Sequence, residues 1–286
     1  MDGIILLNKE KGPTSFSVIE DLKRKFKIKK IGHGGTLDPM AEGLLMVLLG
    51  NATKLNPYLP SDKTYEAEIT FGAATDTDDA EGAVIQELPV PENLEEKLRD
   101  VLLKFTGEIM QKPPKYSAIR KDGKKLYELA RAGEEVNPEP RKAFVHYLEI
   151  TSVTGNRVSI RSTVETGTYI RSIARDLGEA IGTCAHLTAL TRTKIGTLTL
   201  TDSVRFNEVE SVEKHIIPMS RAIDHLPEAL LDKRDYETIK NGGEVARPAD
   251  MKGLFVRMTY NGSLAAIGEI SGPFLKVKRG IDFSLS

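Results

Sequence analysis

The chain has 286 residues, of which 40% are hydrophobic and 28% charged, and its formal net charge is −1. Such a composition belongs to a globular chain, long enough for one substantial core and a smaller second domain. The longest apolar run, Leu44–Leu49, falls far short of the ~20 residues a membrane helix requires, no basic and apolar export segment opens the sequence, and the single Cys184 cannot close an internal disulfide. The expected setting is a reducing cytoplasm, without a membrane anchor or a structural metal site of Cys/His spacing.

Ile4–Leu7 reads as a short apolar strand and Lys11-Gly12-Pro13 as a turn. A helix follows, in which Ser17 and Glu20 have capping-box spacing while Val18, Leu22 and Phe26 recur every four residues. The stretch from Gly32 to Gly43 packs one imidazole, His33, and the carboxylate of Asp38 among glycines, the pattern of a shaped loop rather than of a helix or strand interior. Tyr65, Ala67, Ile69 and Phe71 then alternate with Glu66, Glu68 and Thr70 as in a half-buried strand. Leu94, Leu98, Val101, Leu102 and Phe105 mark an amphipathic helix between Pro91 and Gly107.

From Gln111 to Pro140 the periodicity degrades around Pro113-Pro114 and Pro138/Pro140, as in an insertion projecting from a core. Ala143–Thr151 and Val158–Val164 predict a hairpin around Gly155-Asn156. Gly167 precedes a helix with Tyr169, Ile173, Leu177 and Ile181 at four-residue spacing, ended by Gly182. Beyond about Leu226, Leu254–Thr259, Leu264–Ile270 and Phe274–Lys278 read as short strands of a small β module. Strands and helices mix without strict βαβ alternation, which predicts an α+β fold with a mixed, largely antiparallel sheet flanked by helices. The expected domains are 1–225, carrying an insertion at 111–148, and a β-rich domain at 226–286.

The near-zero net charge hides uneven placement. Between Asn8 and Thr36 eight bases face three acids, and between Gln111 and Leu148 nine bases face five. Local basic surface on a near-neutral protein suits a polyanion bound at one face, although a charge run can equally be a solvated helix face.

Asp38, flanked by Leu37 and Pro39, is the leading candidate for a nucleophile or general base, with turn capping as the alternative. His33 offers a nucleic-acid contact or a loop hydrogen bond. Arg171 could fork onto a carboxylate without titrating, or lie on the surface beside Arg175. Tyr65 and Tyr169 could each stack on a base, and a strand's core face also holds tyrosines. Asp76-Thr77-Asp78-Asp79-Ala80-Glu81-Gly82 fails as a calcium loop, because Ala80 falls at the fifth position and the glycine at the seventh; it reads as an acidic turn. Gly32–Gly35 lacks the Gly-Lys-Ser/Thr ending of a phosphate-binding P-loop, and Cys184 reads as a small core residue.

Taken in order, Gly32-His33-Gly34-Gly35-Thr36-Leu37-Asp38-Pro39, Lys63-Thr64-Tyr65, Asp76-Thr77-Asp78, Gln111-Lys112-Pro113-Pro114-Lys115-Tyr116-Ser117-Ala118 and Gly167-Thr168-Tyr169-Ile170-Arg171-Ser172 resemble the bacterial tRNA pseudouridine-55 synthase family, called TruB. The resemblance extends to Leu187–Arg192 and to a C-terminal module similar to the family's PUA-like domain. It implies conversion of uridine to pseudouridine in the T-arm loop of tRNA, without cofactor or metal, by a monomer needing no guide RNA or protein partner. It also implies that Asp38 is the catalytic aspartate, that Arg171 pairs with it, and that Tyr65 stacks on the target base. Tyr169 and Leu190 would line the pocket, His33 would fill the space left by the flipped base, and residues 111–148 would form an RNA-gripping thumb. Lys9, Lys124 and Lys125 are expected among the RNA contacts.

The carboxylate could add to uracil C6, attack C1′, or draw a proton from C2′, and all three routes stay open. Two departures from the family pattern stand out: Lys9-Glu10-Lys11-Gly12 replaces Lys-Pro-x-Gly, and Glu42 replaces a usual Thr or Ser. The main rival is a protein that binds and folds tRNA without chemistry, for which the basic blocks suffice and Asp38 does not matter.

Overall fold

The computed structural model describes residues 1–117, 119–121, 123–126 and 136–285, and only the backbone of residues 120, 121, 124 and 125. In chain order the elements begin with β1 (Gly3–Lys9), α1 (Ser15–Phe26), β2 (Ile31–His33), β3 (Glu42–Leu49), β4 (Asp62–Phe71), β5 (Ala73–Thr75) and β6 (Val84–Glu87). Next come α2 (Leu94–Leu102), β7 (Gly107–Gln111), β8 (Arg120–Lys121), β9 (Lys124–Lys125), β10 (Arg141–Thr154), β11 (Arg157–Glu165), α3 (Ile170–Ala180) and β12 (Ala185–Ile195). The remainder are β13 (Leu198–Thr199), β14 (Val204–Arg205), β15 (Glu228–Leu230), α4 (Lys233–Lys240), β16 (Val245–Ala246), β17 (Phe255–Tyr260), β18 (Ser263–Ser271) and β19 (Phe274–Gly280). They fall into two compact units, one of Met1–Pro39, Gly43–Pro60 and Gly196–Ser286, the other of Met40–Glu42 and Ser61–Ile195.

In the first unit β1 pairs antiparallel with β3, from Gly3 opposite Leu49 to Lys9 opposite Gly43, and parallel with β14. The run Leu44–Leu49 is buried at every position, so both faces of β3 are covered and alternation disappears from its sequence. Val18, Ile19 and Leu22 of α1 pack with Ile5, Leu7, Leu45, Val47 and Leu49 into one core cluster. The helix is capped by Thr14, whose Oγ1 accepts from the Ser17 backbone N–H at 3.0 Å. The capping position is therefore Thr14, whose backbone is extended at φ −72° and ψ 155°, and not Ser17, which already lies in the first helical turn.

Residues 226–286 form their own five-stranded sheet, ordered β15-β17-β18-β19-β16, with α4 beside it. Tyr236 of α4 stacks on Tyr260 at 4.3 Å between centroids and an interplanar angle of 10°, inside a cluster with Ile239, Val256, Met258 and Leu275. The β-rich module is present, yet the boundary at 225/226 marks a change of sheet and not of compact unit. Tyr58 meets Phe255 edge-on at 5.1 Å and Lys54 Nζ donates to the Ile281 carbonyl at 2.8 Å, so the module shares a unit with the chain's first 60 residues. The 1–225 span divides as well, because the chain leaves that unit at Pro60 and returns at Gly196.

In the second unit β12, β4, β11, β10 and β7 lie side by side, every pair antiparallel. The expected alternation holds along β4, where Ala67, Ile69 and Phe71 are buried. The 111–148 insertion needs correction at its C-terminal end. Arg141 sits opposite Gln111 and Val145 opposite Gly107, so residues 141–148 are sheet and the insertion proper runs over 112–140, with both ends on one ladder. The helix α3 approaches β12 closely: a Cβ on Gly178 would lie 2.7 Å from the Ala185 backbone nitrogen and 2.8 Å from the Cys184 carbonyl carbon. We predict that Gly178→Ala lowers the unfolding free energy by roughly 1–3 kcal/mol, because the backbone it meets cannot swing aside as a side chain would. The urea midpoint of the variant measures this, and a midpoint equal to that of the unsubstituted chain contradicts it.

Candidate active site

The glycine loop of the first unit is built around backbone anchors. Gly34 donates to the Met46 carbonyl at 2.9 Å, and a Cβ there would come within 2.7 Å of Leu59 Cδ1 and 3.3 Å of Met46 Sδ, so a larger residue would have to displace those side-chain ends. Gly35 has φ +127°, in the region that L side chains rarely adopt. His33 ends β2 half-buried, and its Nδ1 accepts from the Gly35 N–H at 3.3 Å.

Asp38 is half-buried, and the residues on either side of it are pinned. Leu37 donates its N–H to Ser15 Oγ at 2.8 Å and accepts from the same hydroxyl at 3.0 Å. The Pro39 carbonyl accepts from the Gly12 N–H at 2.8 Å and from Lys9 Nζ at 3.4 Å. A carboxylate between two anchored residues loses little further freedom when it engages a ligand. Lys9 is 1% exposed and also donates to the Glu10 carbonyl at 2.9 Å. Buried at the end of β1, Lys9, expected among the RNA contacts, braces the Asp38 loop.

In the second unit Arg171 lies in the first turn of α3, 4% exposed. Its Nη1 donates to the Thr77 carbonyl at 3.1 Å and to Asp79 Oδ2 at 3.2 Å, and its Nη2 to the Tyr116 carbonyl at 3.0 Å. A surface position for Arg171 is excluded, and the acidic turn is explained by it: Asp79 supplies the counter-charge that lets a guanidinium be buried. The turn also caps its own backbone, Asp76 Oδ1 accepting from Ala83 N at 2.9 Å and Asp79 Oδ1 from Glu81 N at 3.0 Å. Gln111, 1% exposed, clamps the residue before α3 from both sides, accepting from Tyr169 N at 2.8 Å and donating to Tyr169 O at 3.1 Å.

Tyr65 is half-buried on β4, opposite Ser162 of β11 and Arg192 of β12. Leu190 stands opposite Ala67 on the same ladder, so the period of two places Tyr65, Leu190 and the fully buried Arg192 on one side of the sheet. That side carries an aromatic ring, an apolar side chain and a buried guanidinium. Glu42 is exposed and accepts from Thr191 Oγ1 at 3.3 Å. For Lys124 and Lys125 the backbone pairs as the short hairpin β8–β9, and their side chains lie outside the described residues. Asp79, Gln111, Arg192 and Lys63 escaped the reading of candidates, yet Lys63 and Arg192 carry a legible signal. Each is a charged residue in phase with a buried apolar series, Lys63 with Ala67 and Ile69, Arg192 with Leu190.

Comparison with known proteins gives one consistent result. Residues 23–170 match the family described as TruB family pseudouridylate synthase (N terminal domain), and residues 171–226 match the tRNA pseudouridylate synthase B C-terminal domain. The chain is 41% identical over 288 residues to tRNA pseudouridine synthase B of Azoarcus sp. (strain BH72), covering 98% of this chain and 94% of that one. It is 41% identical over 268 residues to the protein of that name from Geobacillus thermodenitrificans (strain NG80-2), covering 89% of each. Among solved structures, an H/ACA RNP bound to a substrate RNA containing 2′-deoxyuridine is similar with a TM-score of 0.75 and 26% identity, over 98% of this chain and 85% of that one. A Cbf5-Nop10-Gar1 complex is similar with a TM-score of 0.74 and 28% identity over the same shares, 98% and 85%.

Lys63, two residues before Tyr65 and 7% exposed, donates to Thr166 Oγ1 at 2.5 Å. Burial, reinforced by the nearby Arg192 and opposed by Asp62, brings its pKa from 10.5 down to about 8. Between those values the unfolded chain holds a proton that the folded chain has released, so this residue's contribution to stability rises with pH across that window. We predict that the difference in unfolding free energy between the unsubstituted chain and Lys63→Met shifts in favour of the former from about pH 7.5 to about pH 9.5. Urea titrations at the two pH values test it, and an unchanged or opposite difference refutes it.

Proposed function

The chain belongs to the TruB family of pseudouridylate synthases, and we propose that it converts uridine 55 in the T-arm loop of tRNA to pseudouridine, using Asp38 as its catalytic carboxylate. As a family member it isomerises uridine to pseudouridine in tRNA. The observation that carries the assignment of Asp38 is the anchoring of its loop, where Ser15 holds Leu37 while Gly12 and Lys9 hold Pro39. The reaction breaks the N1–C1′ bond, turns the uracil and joins C5 to C1′, with the C5 hydrogen released to solvent. The enzyme must therefore hold a detached base, and a carboxylate at a fixed place meets that need by any of the three routes.

A uridine inside a folded loop must be flipped out before its glycosidic bond is accessible, at a cost of a few kcal/mol. Stacking of the uracil on Tyr65 returns roughly 1–3 kcal/mol, and phosphate contacts along the thumb supply the rest. In this reading Arg171 is the cation that keeps Asp38 ionised, Tyr169 and Leu190 line the pocket, and His33 occupies the space the flipped base leaves. Recognition then depends on the shape of the arm more than on its sequence. The enzyme acts as a monomer in the cytoplasm, without a guide RNA or protein partner.

Two measurements test the reading. Asp38→Asn should lower tritium release from C5-tritiated tRNA by more than about 10²-fold while tRNA binding persists. Retained release would point instead to a tRNA-folding protein whose Asp38 is idle. Charge reversal at both Lys124 and Lys125 should weaken tRNA binding and flatten the dependence of log K on log salt by up to about two units. A slope equal to that of the unsubstituted chain removes these lysines from the RNA contacts.

A further inference from the structure

The root of the thumb is held by α3 through more than Arg171. The Lys112 carbonyl accepts from Ser172 Oγ at 2.9 Å and from Arg175 Nη2 at 2.8 Å. Arg175 Nη1 meets Asp78 Oδ2 at 2.8 Å, and its Nε donates to Asp176 Oδ1 at 2.9 Å. One guanidinium thus ties the first residue of the insertion to the acidic turn. That turn is in turn part of a fixed frame: Leu187 of β12 donates to the Asp78 carbonyl at 3.0 Å and accepts from the Ala80 N–H at 2.9 Å. Asp78 itself has φ +61°, a conformation that a short polar residue tolerates better than most and that this docking holds in place. Past Lys112, the buried Pro113 and Pro114 stiffen the next two residues.

We propose that Arg175 is a positioning residue for RNA capture: by spanning Asp78 and the Lys112 carbonyl it sets the direction in which the thumb leaves the sheet. The inference rests on the assignment of residues 112–140 as the RNA-gripping element. It has a specific consequence, since the described hydrogen bonds of Arg175 end on Asp78, Asp176 and the Lys112 carbonyl. A thumb that leaves in the wrong direction captures RNA poorly, while RNA already seated is isomerised at the ordinary rate. Lysine cannot replace the fork, because a single ammonium reaches one of the two acceptors and not both in the same planar geometry.

The test is steady-state tritium release from C5-tritiated tRNA by the full chain. Arg175→Gln should raise KM roughly tenfold with kcat within about twofold of the unsubstituted enzyme, and Arg175→Lys should recover part of the KM. If Arg175→Gln does not fold, as judged by circular dichroism, Ser172→Ala decides, since it removes one bond to Lys112 and keeps the ion pair; its KM should rise by about two- to threefold at unchanged kcat. A fall in kcat at constant KM, or an unchanged KM in both Arg175→Lys and Ser172→Ala, overturns the assignment. The unsubstituted chain is the internal control: without tritium release from it the proposed function itself fails, whereas release with unchanged KM in the variants defeats the positioning role alone.

Discussion

A guanidinium cannot be buried unless acceptors surround it, and the acceptors that Arg171 collects determine the architecture of the second unit. Thr77 and Asp79 come from a turn 92 to 94 residues earlier in the chain, and the Tyr116 carbonyl from the root of the insertion. One side chain therefore draws together a turn, a helix and an inserted segment, and Arg175, one turn further along the helix, repeats the arrangement with Asp78 and Lys112. Removing one member of such a buried pair strands the other charge, at a cost of about 3–5 kcal/mol. That is a large share of the 5–15 kcal/mol by which domains are stable, so an acid in this turn is as much a fold determinant as any core leucine.

The Asp38 loop solves a different problem with different means. Its anchors include backbone groups, the Ser15 hydroxyl and the Lys9 ammonium, which donates to the carbonyl oxygens of Glu10 and Pro39. Rigidity there comes from hydrogen bonds made to backbone carbonyl and amide groups on either side of Asp38. The departure at Glu10 fits this picture. The position contributes its carbonyl to Lys9, and a backbone carbonyl is available whatever side chain the residue bears.

What could be read in advance followed the range of the interaction that made each feature. The alternation from Tyr65 to Phe71 and the four-residue recurrence of Val18, Leu22 and Phe26 are local, and both elements form as read. The cap at Thr14 was misplaced because Thr14 and Ser17 each stand three residues before another polar residue, and only the extended backbone after Pro13 distinguishes them. The helix Lys233–Lys240 passed unnoticed, since only Tyr236 and Ile239 of its eight residues face the core. The Arg171–Asp79 pair was out of reach for another reason. No periodicity joins residues 92 apart, and among the acids of the turn nothing in the sequence marks Asp79 as the buried one.

The insertion departs from and rejoins the sheet at Gln111 and Arg141, which face each other across a single rung. A segment whose two ends are already neighbours closes at an entropic cost that grows only logarithmically with its length. Lineages carrying this scaffold are thus free to lengthen, shorten or exchange that segment with scarcely any penalty to the sheet beneath, provided the arginine moorings at its base survive.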